Sequence, residues 1–101
     1  MSESSAENLN RLASVAITTL TEADTFPYDL DIGTPGIGIG CLNKDTGTVL
    51  IFNLVTLENN TVGPFRVPST NPLSEEFPPF KRIELVQAST SFNLIIRGSW
   101  G

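Results

Sequence analysis

The chain has 101 residues, 40% of them hydrophobic, and a formal net charge of −5. That is one domain's length with an ordinary apolar share, which excludes a multidomain machine and an intrinsically disordered chain. With no histidine and one cysteine, Cys41, it lacks the commonest general base, the Ser-His and Cys-His nucleophile pairs, an intramolecular disulfide and any multi-cysteine zinc site.

The charge is unevenly placed. Glu3, Glu7, Glu22, Asp24, Asp29 and Asp31 face Arg11 alone in residues 1–40, whereas acids and bases balance in residues 41–101. Lys81-Arg82 is the only basic doublet. An acidic chain is a poor match for a phosphate backbone, so no nucleic-acid partner is expected. No apolar run approaches the roughly 20 residues of a membrane span, so no membrane partner is expected either. The opening MSESSAENLNRLAS has no basic stretch leading into an apolar one, and the expectation is a protein not secreted by a signal peptide.

In chain order, residues 1–20 read as an N-terminal arm ahead of a β domain at 21–101. Leu9, Leu12, Ala13 and Ala16 carry a faint helical period, supported by Glu7 and Arg11 at i,i+4. VAITTLT then alternates as β. Such an arm can pack on its own domain, on a neighbouring subunit, or on nothing.

TFPYDLDI alternates cleanly. Phe26, Tyr28, Leu30 and Ile32 share one face, while Pro27, Asp29 and Asp31 share the other. Pro27 has no N–H, which predicts an edge strand or a strand start. GIGIGCL places Ile37, Ile39 and Cys41 on one face and Gly36, Gly38 and Gly40 on the opposite one. The polar cluster NKDTG follows, then TVLIFNLVTL, apolar on both faces except at Asn53 and so expected in the interior of a sheet. The expectation is a hairpin between GIGIGCL and TVLIFNLVTL, with NKDTG as its turn. TVGPFRVP is interrupted by Gly63-Pro64 and closed by Pro68. STNPLSEEFPP reads as a loop held open by Pro72, Pro78 and Pro79. FKRIELVQASTSFNLIIRG reads as a second hairpin turning at Ala88–Ser91. Six or seven short strands with turn signals between them predict an all-β fold: a small β-sandwich, jelly-roll or immunoglobulin-like.

The motif search returns little chemistry. The glycines fail the dinucleotide pattern, because Cys41 or Asn43 occupies the place of the third glycine, and no glycine precedes a lysine as a P-loop requires. They read instead as a smooth strand face open to close approach by a backbone or an aromatic ring. Asp29 and Asp31 share a wet strand face; an Asp-x-Asp pair alone supplies too few oxygens for Ca²⁺ and reads as a solvated edge. Cys41, on the isoleucine face, reads as a small core residue. Trp100 either covers its own domain's edge or docks on a partner. No catalytic, cofactor or metal site is expected.

From Thr18 to Gly101, with GPFRVP in the middle and FKRIELVQASTSFNLIIRG near the close, the texture resembles the small β-rich structural proteins of tailed bacteriophages: decoration, cement, and tail or fibre-associated proteins. That resemblance implies a non-enzymatic virion component, assembled in the host cytoplasm, that binds other protein subunits and forms a homo-oligomer, with a trimer favoured. The candidate contact residues are Leu9 and Leu12 in the arm, Pro72 and Phe77 in the proline-rich segment, and Trp100. The alternative is a small β-sandwich binding module for carbohydrate or another ligand, with Tyr28, Phe65, Trp100 and the Asp29/Asp31 pair as its candidates. An enzyme built on two carboxylates ranks third.

Overall fold

The computed structural model describes residues 15–31 and 33–98. These form seven strands: β1 (Val15–Thr21), β2 (Tyr28–Asp29), β3 (Gly36–Asn43), β4 (Leu50–Thr56), β5 (Thr61–Val67), β6 (Leu73–Gln87) and β7 (Phe92–Gly98). There is no helix among the described residues. All pairings are antiparallel, in the order β1-β7-β3-β6-β4-β5, with β2 added to β6. The fold is all-β and consistent with a small β-sandwich.

Strand β6 joins the two layers. Its first half, Leu73 to Phe80, pairs with β3, and its second half, Phe80 to Gln87, pairs with β4. Tyr28 and Asp29 of β2 lie opposite Ile83 and Arg82, so β2 and β3 follow one another along β6. The inner faces share one core. Leu20, Ile39, Cys41, Leu94 and Ile96 come from the β1-β7-β3 layer; Leu50, Phe52, Leu54, Val67 and Ile83 come from the β4-β5-β6 layer. Phe80, fully buried, stands where β6 passes from one layer to the other.

Burial follows the alternation read from the sequence. Phe26 and Tyr28 pack against the core and Leu30 is buried, while Asp29 and Asp31 are exposed. Only Tyr28 and Asp29 of that stretch are strand. Val15–Thr21 is a full strand of the sheet, so the boundary drawn at residue 20 falls inside β1. The faint helical period of the arm lies mostly outside the described residues. β4 lies between β6 and β5, in the interior of the sheet as expected.

The strand pairings differ from expectation in two places. β3 does not pair with β4: it lies between β7 and β6, and β4 lies between β6 and β5. Nor does β6 pair with β7, because β3 is inserted between them. The NKDTG and Ala88–Ser91 segments are therefore crossings between layers, not hairpin turns. Alternation reports which residues face the core, but it carries no information about which strand lies alongside. Among the described strands, only β4 and β5 form a hairpin of sequence neighbours. Its turn has Asn59 at φ 68, a left-handed position that asparagine tolerates.

The proline-rich segment is also strand rather than loop. Leu73–Gln87 runs through Pro78 and Pro79. Proline's φ suits extended backbone, and its missing N–H matters only where a ladder bond is due. Here the β3 ladder skips register between Gly36 and Gly38, opposite the stretch from Phe80 to Glu76 that holds both prolines. Gly63-Pro64 is likewise accommodated within β5, where the ladder to β4 skips between Phe52 and Leu54. Gly63 has φ +127, and a side chain there would press on Asn53 Oδ1. That buried oxygen has no hydrogen-bond partner among the described residues.

At one end of the sandwich the crossings meet on Asn43, which is 1% exposed. Its Nδ2 donates to the carbonyls of Thr48 (2.8 Å) and Val67 (2.9 Å). Its Oδ1 accepts from the Asp45 N–H (2.9 Å) and the Ser89 hydroxyl (2.7 Å). Alongside, Asp45 accepts from the N–H of Thr90 (3.0 Å), the N–H of Gly47 (2.8 Å) and the Thr90 hydroxyl (2.8 Å). These bonds, led by the Thr90 N–H, lower its pKa from 3.8 to about 2.

Two outcomes follow from this rim. Asn43→Ala strands several buried groups at once and lowers stability by about 2–4 kcal/mol, read as a fall in the urea midpoint with an unchanged m-value. For Asp45, the folded pKa is below the unfolded one, so its contribution is complete above about pH 4 and is lost as the pH falls toward 2. Asp45→Asn is therefore less stable than the native chain at neutral pH. The gap closes between about pH 4 and pH 2, as followed by thermal melts across that range.

Candidate protein-docking face

The outer face of the β1-β7-β3-β6 layer is assembled by register. Thr19, Ile95, Gly40 and Ser74 lie side by side across the four strands. The next row holds Thr21, Asn93 and Leu42, and the row on the other side holds Ala16, Arg97, Gly38 and Glu76. Leu42 is 43% exposed and Ile95 39% exposed, both large apolar side chains pointing away from the core. With Pro72, Leu73, Gly40 and Asn93 they border a shallow groove of about 380 Å³.

The glycines make this face flat. The Arg97 side chain lies over β3, so that a methyl on Gly38 would come 3.2 Å from its Nε and one on Gly40 3.7 Å from its Nη1. Gly36, before the register skip, is buried, and a methyl there would overlap the ring of Phe80. The Gly-Ile repeat is thus a strand pressed on one side by an arginine and at its start by an aromatic ring. β3 runs into a crossing loop rather than into the helix N-terminus that a phosphate-binding glycine loop opens.

The sequence-derived contact candidates are scattered. Pro72 borders the groove. Phe77 lies elsewhere, half-buried against the core with its ring centroid 4.9 Å from Phe65 and 6.3 Å from Phe80. Leu9, Leu12 and Trp100 lie outside the described residues. Leu42 and Ile95 were not singled out in the sequence, although both fall on the outward parity of their strands: Leu42 continues the glycine face, and Ile95 sits between inward Leu94 and Ile96.

The residues of the ligand-binding alternative are partly brought together. Tyr28, Asp29 and Asp31 border one cavity of about 270 Å³ with Ile17, Thr18 and Thr34. Phe65 is remote, in the aromatic chain from Phe52 to Phe80. Each carboxylate already has a partner: Asp29 Oδ1 meets Arg82 Nε at 2.6 Å, and Asp31 Oδ1 accepts from the Gly33 N–H at 3.0 Å. Cys41, 3% exposed, faces the core, and burial pushes its thiol up to about 12, far from a reactive thiolate.

No family model, curated protein or solved structure matches this chain.

Gly36 does not share the face of Gly38 and Gly40 as the alternation predicts: the register skip turns it to the core, and it responds differently from Gly40 to a methyl group. Phe80 is fully buried and has no room to yield, so Gly36→Ala destabilises by about 1–3 kcal/mol. At Gly40 the nearest atom is at ordinary contact distance, and Gly40→Ala is neutral or more stable by about 0.5 kcal/mol. Urea denaturation of the two variants in parallel measures the contrast.

Proposed function

We propose that this chain is a non-enzymatic structural and interaction protein, a virion component of the decoration, cement or tail-associated kind, that binds other protein subunits. The observation that carries this reading is the shallow outer-face groove in which Leu42 and Ile95 are exposed beside Pro72 and Gly40. Large apolar side chains grouped on a rigid sheet provide a surface whose burial is favourable without any further rearrangement. The composition supports it, since a chain without histidine and with its one cysteine buried has few groups with which to do chemistry. So does the resemblance in texture to phage structural proteins. Leu9, Leu12 and Trp100 remain part of the proposal as further contact residues.

A second reading, a ligand-binding module, is favoured by the cavity beside Tyr28, Asp29 and Asp31. It is the weaker one because both carboxylates already hold partners within the chain. Titration with a glycan panel separates the two: binding abolished by Tyr28→Ala supports the module.

For the docking reading, the double variant Leu42→Glu, Ile95→Lys keeps the native thermal midpoint within a few degrees, because both positions are exposed. In gradient sedimentation the native chain travels with the assembled particle of its source, and the double variant stays at the top. A native chain that also stays at the top, or a variant that still travels with the particle, overturns the reading.

A further inference from the structure

β7 sends alternate residues into the core. Leu94 and Ile96 are fully buried, and Gly98 comes next on the same inward parity. The space inward of Gly98 is bounded by two particular side chains. A Cβ there would stand 2.9 Å from Ile17 Cδ1 and 3.0 Å from Thr34 Cγ2. Ile17 and Thr34 also line the cavity of about 270 Å³ at Tyr28, Asp29 and Asp31. The end of β7 therefore abuts the wall of that cavity. Two positions beyond Gly98, again on the inward parity, stands Trp100, the one tryptophan of the sequence.

We propose that Trp100 seats its indole in this cavity of its own chain, against Ile17, Tyr28, Leu30 and Thr34, with the indole Nε1–H donating to Asp29 or Asp31. Reach allows it. Two residues of extended chain span roughly 7 Å, which keeps Trp100 beside the wall that Gly98 touches. Size allows it too. A cavity of roughly 150 Å³ accepts a benzene ring, and this one, at about 270 Å³, has room for the larger indole.

The lining selects the side chain. Its walls are aliphatic and aromatic on some sides and acidic on others. Asp29 Oδ1 meets Arg82 Nε and Asp31 Oδ1 accepts from the Gly33 N–H, which leaves the second oxygen of each to accept another bond. An indole matches such a mixture, since it has a flat apolar body, one donor and no acceptor to set against a carboxylate. The tether selects the source. A group held two residues from the cavity competes at high effective concentration, whereas a separate molecule loses its translational freedom on binding. Of the two roles open to Trp100 in the sequence, this one gives it to its own domain. The docking reading then keeps the Leu42/Ile95 groove and the arm, and any ligand of the cavity must first displace the indole.

Because the chain has one tryptophan, its fluorescence reports on residue 100 alone. The native chain is expected to emit to the blue of the urea-unfolded chain, with no change on dilution, and to be quenched by acrylamide about fivefold less. Nuclear Overhauser contacts are expected from the indole to the Ile17 methyls and the Tyr28 ring. Trp100→Ala keeps native circular dichroism and melts about 5 °C lower. Emission and quenching equal to those of the unfolded chain overturn the proposal. So does a blue shift that vanishes on dilution, which would place the indole on another molecule, and so do indole contacts to Leu42 or Ile95 in place of Ile17 and Tyr28. The Leu42→Glu, Ile95→Lys variant leaves all these readings as in the native chain, so this proposal and the docking reading fail separately.

Discussion

One buried amide with all four of its hydrogen-bonding positions filled holds the end of this molecule together. Asn43 touches the crossing that leaves β3, the last residue of β5 and the loop that enters β7. Each of those segments carries the chain from one layer to the other, and each arrives with backbone groups that no strand ladder can satisfy. A side chain with two donors and two acceptors in one plane is suited to that task. Asp45 adds a carboxylate at the same rim, so the two loops are joined twice. With the loops tied there, β3 is free to end beside β7 rather than to fold back on β4.

Much of the fold is legible in the sequence, and what is missing has a physical cause. Alternation identified the strand character of β1 and β3 and put Ile39 and Cys41 where the core is, and a run apolar on both faces identified β4. It failed on partners, because a strand's own side chains do not specify its neighbour. The β3–β4 and β6–β7 hairpins are natural readings of two strands joined by a turn-rich segment. They fail because β3 occupies the space that β6 would otherwise offer to β7. Pro78 and Pro79 misled in a different way: proline argues against a ladder bond, and at a register skip no ladder bond is due. Asn43 was assigned to the turn that follows it. Its parity with Ile39 and Cys41 is the one local sign that it points inward.

The candidate site was less legible than the fold. Leu42 and Ile95 each lie on an outward parity that a reader can count. Their meeting beside Pro72 depends on β3 lying next to both β7 and β6, a fact stored in no short stretch. The opening Gly-Ile repeat shows the same division. Its periodicity sets all three glycines on one face, whereas the register skip turns Gly36 inward to the ring of Phe80 and leaves Gly38 and Gly40 under the side chain of Arg97, both partners coming from strands far along the chain.

The place of β3 has a consequence for how the chain is made. Both of its neighbours, β6 and β7, are translated after it, and Gly36 finds its partner in Gly98 only when nearly everything between has been synthesised. Until then β3 and β4 leave the ribosome as apolar strands with open edges. Order built on such distant pairings forms slowly, since loop closure must precede any stabilising contact. The nascent β3 is thus the segment most exposed to unwanted partners, and its three glycines, poor strand formers in isolation, delay its commitment until the correct neighbours exist.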